Sequence, residues 1–140
     1  MKKNYALQDY PVHTVEKLRF RDTDAQGHLN NAVYITLIEM GRVDILFDPK
    51  YALDHENSMF MLAHISVDYL AEINWPGSVV IGTKVTHIGN SSFTTEQVIF
   101  SGDVCAAVAK TVIVWADKTT RQKKPLTDAA KTALAMLQTE

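Results

Sequence analysis

The sequence predicts an α+β fold in which one long antiparallel sheet of about five strands wraps around a long central helix. Three observations lead to this fold. The chain has 140 residues, the usual size of one domain. It contains one helix-length segment that is apolar on nearly all faces, followed by four strand-like segments joined by short turns. A helix that is apolar all round must be buried, so the strands have to cover it. We therefore expect one domain over residues 1–140.

The central helix is predicted to begin at Asn30 or Asn31, because asparagine is a favoured N-cap residue. The helical pattern continues to about Phe47, and Pro49 then ends it. Its apolar positions are Val33, Tyr34, Ile35, Leu37, Ile38, Met40, Val43, Ile45, Leu46 and Phe47. Gly41 interrupts them at a tolerable cost. It is either simply tolerated or required where a strand approaches closely, and the sequence leaves both open.

The remaining segments resemble strands in length and composition. They are His13–Phe20, Met59–Leu70, Val79–Ile88, Phe93–Phe100 and Val104–Trp115. Turns are expected at Trp75-Pro76-Gly77, Gly89-Asn90-Ser91 and Ser101-Gly102-Asp103. Three tight connections predict an antiparallel meander over the last four strands. The last strand is apolar on both faces, which indicates a central strand or one under a subunit interface. Residues Thr127–Leu137 are predicted to form a closing helix.

Composition and charge exclude several classes of protein. The chain is 46% hydrophobic and 21% charged with a net charge of -2, so we expect no nucleic-acid or membrane partner. We find no targeting segment and no apolar run of the roughly 20 residues that a membrane helix needs, which favours a cytoplasmic location. The single cysteine, Cys105, lies in an apolar segment without a basic neighbour, so we interpret it as a buried thiol rather than a nucleophile.

The loop before the central helix carries the residues suited to chemistry. Asp22 and Asp24 can act as base or nucleophile, and Gly27 permits a positive φ. The helix N-terminus near Asn31 presents unpaired N–H groups that can hold an oxyanion. Spacing alone also allows ordinary loop or capping acids. A metal site from Asp22, Asp24 and His28 lacks a second histidine or cysteine at ligand spacing, so we predict no metal.

Four segments carry a resemblance to a known family. Residues Arg19–Asn31 read Arg-Phe-Arg-Asp-Thr-Asp-Ala-Gln-Gly-His-Leu-Asn-Asn, which resembles the signature of the 4-hydroxybenzoyl-CoA thioesterase family. Tyr34–Arg42, which ends Glu-Met-Gly-Arg, resembles that family's helix, and Ile65–Leu70 with Pro76-Gly77 resembles its second strand and turn. The resemblance implies a hotdog fold and a thioesterase that needs no cofactor.

The resemblance also implies roles for the loop residues. Asp24 takes the place of the catalytic aspartate, which attacks the thioester carbonyl or activates a water molecule. The backbone N–H of Asn31 takes the place of the oxyanion donor, and Gly27 shapes the loop. His28 either orients substrate or solvent, or only bridges the loop to the sheet. Asn30 is expected to cap the helix.

Further residues are candidates for substrate binding. Glu39 is a second choice for the essential carboxylate, although an ion pair with Arg42 three residues later is the simpler interpretation. An acyl pocket is expected between helix and sheet, with Met59, Phe60, Met61 and His64 as candidate lining residues. The hairpin at Asn90, Ser91 and Ser92 corresponds to a place where relatives carry basic residues for the CoA phosphates. Here it is neutral, and Arg121, Lys123 and Lys124 form the tight basic cluster.

The predicted function is therefore hydrolysis of a thioester of CoA or of acyl-carrier protein. One alternative is a module that binds acyl thioesters without catalysis. Another is a hydratase or dehydratase of the same fold, which needs a histidine paired with an acid. His28 follows Asp22 by six residues and Asp24 by four, which does not match the register of those enzymes. The family implies a homo-oligomer, a dimer or a dimer of dimers, with active sites at the dimer interface.

Overall fold

A computed structural model describes residues 4–51, 53 and 57–138 of the chain. A 16-residue helix, α1, packs on one face of a five-stranded antiparallel sheet, which confirms the α+β hotdog architecture. The elements are β1 Val12–Lys17, α1 Asn31–Leu46, β2 Ser58–Tyr69, β3 Ser78–Ile88, β4 Ser92–Ser101, β5 Val104–Asp117 and α2 Asp128–Ala135. No helix in the described part of the chain is long and apolar enough to cross a membrane.

The strand order differs from the predicted meander at one place. The sheet runs β1-β3-β4-β5-β2, so β3, β4 and β5 form the expected hairpins while β2 pairs with β5. The expected pairing of β2 with β3 is wrong. The connection between them, residues 70–77, instead crosses the end of the sheet near the start of α1, where Leu29 N–H donates to the Ile73 carbonyl at 2.8 Å. In consequence β5 is a central strand, as predicted, and the 12-residue β2 is an edge strand.

Gly41 allows α1 to approach the sheet closely. A Cβ atom at this position would lie 2.6 Å from Gln97 Nε2 and 2.6 Å from Ile81 Cγ2, which no side chain tolerates without movement. The fully buried Gln97 side chain donates to the Ile38 carbonyl at 2.9 Å and to Thr83 Oγ1 at 3.1 Å. Of the two interpretations of this glycine, close approach is therefore the correct one.

Among the described residues, α1 buries one of its faces. That face carries Tyr34, Leu37, Ile38, Gly41, Arg42, Ile45 and Leu46. The face towards β2 is open, with Ile35 and Glu39 exposed. Leu62 and Tyr69, which lie on the α1-facing side of β2, are also exposed. We call the open channel between these two elements the α1–β2 groove. The expectation of a helix buried all round is thus not met by a single chain.

The N-terminal segment covers part of the other face of the sheet. Leu7 and Tyr10 pack there with Phe100 and Val108, and Cys105 lies beside them, half-buried. Burial raises the pKa of the Cys105 thiol, in agreement with the expectation of an unreactive cysteine. All the residues discussed for catalysis must therefore be sought on the α1 side.

Candidate active site

Asp22 anchors the loop between β1 and α1. It is 4% exposed, and its carboxylate accepts from the Arg19 backbone N–H at 2.8 Å and from the Arg19 guanidinium at 2.8 Å. The hydrogen bond and charge of Arg19 hold the pKa of this carboxyl below its usual range. The Asp22 carbonyl also accepts from the Asn30 N–H at 2.8 Å. Because its carboxylate and its backbone carbonyl both accept hydrogen bonds from the loop, Asp22 has a structural role.

Asp24 is exposed on a turn that closes on itself. Its N–H donates to the His28 carbonyl at 2.8 Å, and its carbonyl accepts from the Gly27 N–H at 3.1 Å. Gly27 has φ +83°, the conformation that glycine was expected to permit. Asp24 Oδ1 accepts from the Gln26 N–H at 2.8 Å and from the His28 N–H at 3.3 Å. Among the described residues Oδ2 has no hydrogen-bond donor, so one carboxylate oxygen is held and the other is available.

The N-terminus of α1 lines the same pocket as Asp24. Asn30 is the N-cap, and its side chain accepts from the Ala32 N–H at 2.9 Å. Within the described parts of the chain, the N–H of Asn31 has no acceptor, as expected for the first turn of a helix. Asn31 and Asp24 line the same pocket of about 400 Å³. A carbonyl group in that pocket would meet a carboxylate and a helix N-terminus together.

Two tyrosines form one wall of this pocket. Their contact was not predicted from the sequence. Tyr34 and Tyr69 pack edge to face with ring centroids 5.0 Å apart. The Tyr69 hydroxyl donates to the Asn31 carbonyl at 3.2 Å, and the Tyr34 hydroxyl donates to the Ala71 carbonyl at 3.1 Å. These bonds tie the end of β2 to the start of α1. Both tyrosines lie in the segments that carry the family resemblance, but their contact depends on the position of β2 in the sheet.

His28 bridges the loop to the connection after β2. Its Nε2 lies 3.1 Å from Glu72 Oε2, and its backbone pairs with Asn74. His28 and Glu72 both line the pocket of Asp24. The bridging role considered for this histidine is therefore present, and a role towards substrate stays a prediction.

Glu39 does not belong to the Asp24 pocket within one subunit. It lies eight residues after Asn31, about 12 Å along the helix. There it lines a separate cavity of about 250 Å³ with Phe60 and Leu62. The expected ion pair with Arg42 is wrong. Arg42 turns inward and is 6% exposed, and no Glu39 oxygen lies within 4.0 Å of its guanidinium.

The other candidate substrate contacts lie away from Asp24. Met59, Met61 and His64 face the side of β2 remote from α1, because residues alternate along a strand and a bulge follows Leu62. Only Phe60 of that predicted set faces α1. These three side chains therefore do not line a pocket between helix and sheet.

The hairpin Asn90–Ser92 lies at the opposite end of the sheet from Asp24, about 30 Å away along β4. Its carbonyl groups accept from neighbouring backbone, with Trp115 N–H bonded to Ser91 and Leu126 N–H bonded to Asn90, each at 2.8 Å. Within one chain, the hairpin and Asp24 are therefore too far apart to contact the same small chemical group.

A second open pocket, of about 430 Å³, lies at the C-terminal end of α1. Its acids are already engaged, because Thr14 donates to Asp44 and Lys50 Nζ lies 3.7 Å from Asp48. In the described part of the chain, no three His, Cys, Asp or Glu side chains stand close enough together to hold a metal ion. The pocket with Asp24 is therefore the better candidate for chemistry.

Comparison with known proteins agrees with the fold described above. The family model of the thioesterase-like superfamily matches residues 18–134. No curated protein matches the chain. A thioesterase from Thermus thermophilus, solved with coenzyme A and zinc, is 30% identical over 93% of this chain and 96% of its own, with a TM-score of 0.80.

Two further structures have the same fold. A protein described as a predicted thioesterase from Bacillus stearothermophilus is 28% identical over 90% of this chain and 95% of its own, with a TM-score of 0.82. A 1,4-dihydroxy-2-naphthoyl-CoA thioesterase from Synechocystis is 19% identical over 90% and 96%, with a TM-score of 0.77. With the family model covering most of its length, the chain belongs to the thioesterase-like superfamily.

Proposed function

We propose that this protein hydrolyses an acyl-CoA thioester with Asp24 as the catalytic carboxylate. The observation that carries the proposal is the shared pocket, which is lined both by Asp24, whose Oδ2 has no donor among the described residues, and by Asn31, whose N–H has no acceptor among them. The superfamily match supports thioester hydrolysis in general. The coenzyme A bound to the Thermus thermophilus relative supports CoA as the thiol carrier.

In the proposed reaction the thioester carbonyl oxygen accepts from the Asn31 N–H. Charge grows on that oxygen as the carbonyl carbon becomes tetrahedral, and the dipole of α1 favours negative charge there. One such donor contributes about 3 kcal/mol to the transition state. The helix N-terminus thus stabilises the oxyanion without a proton transfer.

Asp24 Oδ2 then acts in one of two ways. As a nucleophile it displaces the thiolate and forms an acyl anhydride, which water hydrolyses to the free acid. As a general base it removes a proton from water as the water attacks, and that proton later reaches the departing sulfur. Both routes consume one water and release one acid and one thiol. The bonds from Gln26 and His28 to Oδ1 keep the carboxylate in place for either route.

The free edge of β2 indicates how two subunits would combine. An exposed edge of 12 residues is a template for pairing with another strand. Two copies of β2 related by a twofold axis would pair antiparallel and join the sheets. The Tyr69 end of one subunit would then lie beside the Ser58 end of its partner. Under this proposal the hairpin Asn90–Ser92 of one subunit approaches Asp24 of the other and contacts the same extended substrate.

The basic cluster lies beside this neutral hairpin. Leu126 N–H donates to the Asn90 carbonyl at 2.8 Å, and Lys124 N–H donates to the Trp115 carbonyl at 3.2 Å. The segment with Arg121, Lys123 and Lys124 is thus held at the hairpin end of the sheet. We assign to this cluster the charged contacts with the CoA phosphates, because the side chains of the hairpin are neutral.

The first experiment compares the wild type with Asp24→Asn on acyl-CoA esters from short to long and aromatic, with thiol release as the readout. We expect at least a hundredfold loss of kcat/KM in the variant, because it keeps the size of the side chain and removes its charge. Circular dichroism and calorimetric binding of a CoA ester are expected to be unchanged. A variant that still hydrolyses at the wild-type rate would falsify the assignment. An inert wild type that binds the esters would instead be a binding module.

One contact favours a second candidate, a hydratase. His28 and Glu72, 3.1 Å apart at the pocket, form the pair of histidine and acid that such an enzyme requires. Adding crotonyl-CoA to the panel tests this candidate, because hydration consumes the double bond without releasing thiol. Thiol release from saturated esters and an intact double bond would rule out the hydratase.

The shared site is tested with mixed dimers. One subunit carries Asp24→Asn, and the other carries Arg121, Lys123 and Lys124 all replaced by glutamine. We expect each variant alone to lose at least tenfold in kcat/KM, while the mixed dimer recovers about half of the wild-type rate, since one of its two sites is intact. If each site lay within one subunit, both sites of the mixed dimer would be impaired and no recovery would occur.

A further inference from the structure

Arg42 is a buried cation whose side chain forms no hydrogen bond or ion pair in the described part of the chain. It projects from the middle of α1 and is 6% exposed. Its guanidinium makes no hydrogen bond or ion pair with any described residue, and Nη1 is shielded from solvent. Burial lowers the pKa of this group below the usual value for arginine. Removing an unpaired charge from water is unfavourable, so the native protein should hold a group that compensates it.

The side chain lines a small apolar cavity between α1 and β2. The volume is about 250 Å³, and Arg42 is the one cation among its described lining residues. The apolar walls are formed by Val43, Leu46, Phe47, Phe60, Leu62 and Ile113. An apolar chain with a single anionic end matches this lining.

The acids nearest in sequence form no ion pair with Arg42, although the charge of Glu39 offsets part of the effect of burial on the pKa of the guanidinium. Glu39 lies at the rim of the cavity and is exposed, beyond ion-pair distance of the guanidinium. Asp44 accepts from Thr14, and Asp48 lies 3.7 Å from Lys50. A carboxylate supplied by a ligand would satisfy the guanidinium with two parallel hydrogen bonds, the geometry in which arginine binds most strongly.

We propose that this cavity binds the far end of the acyl group and that this end carries a carboxylate, so that the substrate is a thioester of a dicarboxylic acid. The inference rests on the proposed function, because the cavity shares Glu39 and Leu62 with the α1–β2 groove, and the pocket of Asp24 shares Tyr69 with it. The apolar walls hold the methylene chain, and Arg42 binds the terminal carboxylate.

The test uses matched pairs of CoA esters from about four to about twelve carbons, in which one member ends in a methyl group and the other in a carboxylate. For at least one length we expect the wild type to favour the carboxylate ester at least tenfold in kcat/KM. Arg42→Met keeps the apolar stem and removes the charge, so it should lose that preference and keep its rate on the methyl ester within about threefold. Lys131→Met on α2 removes one charge far from the groove and should keep the preference.

A binding measurement separates this inference from the proposed function. In the Asp24→Asn background, calorimetric titration with each ester of the pair reports affinity without turnover. A tenfold preference for the carboxylate ester that vanishes in Asp24→Asn/Arg42→Met supports the cavity even if no ester is hydrolysed. Equal affinity for the two esters at every length overturns the inference. The inference is also overturned if Arg42→Met dissociates into monomers but keeps its preference for the carboxylate ester. The carboxylate that compensates Arg42 would then belong to a second copy of the chain.

Discussion

The loop before α1 has two halves that carry the same acid in opposite surroundings. In the first half, Arg19–Thr23, Asp22 is 4% exposed and accepts from two N–H groups of Arg19 at 2.8 Å. In the second half, Asp24–His28, Asp24 is exposed and only its Oδ1 accepts hydrogen bonds from described residues. The two carboxylates are separated by one residue, yet one is fully engaged and the other is half available.

This difference shows how a protein can assign two tasks to one residue type. Asp22 supplies rigidity, because its carbonyl holds the Asn30 N–H and so joins the first half of the loop to the start of α1. Asp24 then projects from a turn whose end is fixed. The role proposed for Asp24 requires a defined position and a free oxygen, and the division of the loop is consistent with both requirements.

The largest effect on stability is expected from Asp22→Asn. The amide keeps the shape of the carboxylate but loses the charge that Arg19 binds, and one of its two acceptor sites becomes a donor. We expect the free energy of unfolding to fall by about 2 kcal/mol, measured by urea denaturation at pH 7. Asp24→Asn is the matched control and should change it by less than about 0.5 kcal/mol. Equal losses in the two variants would contradict the division of the loop.

The pH dependence of the same pair sharpens the comparison. Arg19 holds the pKa of Asp22 below its usual range, so in the folded state this carboxyl binds its proton only at lower pH than in the unfolded chain. Its contribution to stability is present above the unfolded pKa of about 3.9 and is lost as pH falls through the folded pKa. The stability difference between wild type and Asp22→Asn should therefore shrink below about pH 4. A difference that stays constant into strong acid would show that the charge plays no part.

Local signals predicted the elements well. The helix expected from Asn30 or Asn31 to about Phe47 forms at Asn31–Leu46, because a capping residue and a proline mark its two ends. The hairpin strands β3, β4 and β5 were predicted from alternation and turn residues. The position of β2 was not, because a connection of eight residues looks the same whether it turns back or crosses the end of the sheet.

The residues of the candidate site also fall into two groups, those that are close in sequence and those that the strand order brings together. Asp24, Gly27, His28 and Asn31 are close in sequence, so a pattern in the loop was enough to find them. Tyr69 and Glu72 join the pocket only through the long-range pairing of β2. The orientation of His64 was missed because one extra residue in a strand, here at the bulge after Leu62, turns the following side chains to the other face.

The smallest effect is expected where the loop meets the helix. Asn30→Ala removes the N-cap bond to the Ala32 N–H and should lower the free energy of unfolding by about 1 kcal/mol. Thr127→Ala is a matched control, because Thr127 caps α2 through the Ala130 N–H at 3.1 Å and lies outside the site. The two variants should lose similar stability in urea denaturation, while only Asn30→Ala lowers kcat/KM, by a few-fold. If activity falls equally in both, the start of α1 has no special role in holding the Asn31 N–H towards substrate, and the oxyanion donor must be sought elsewhere in the pocket.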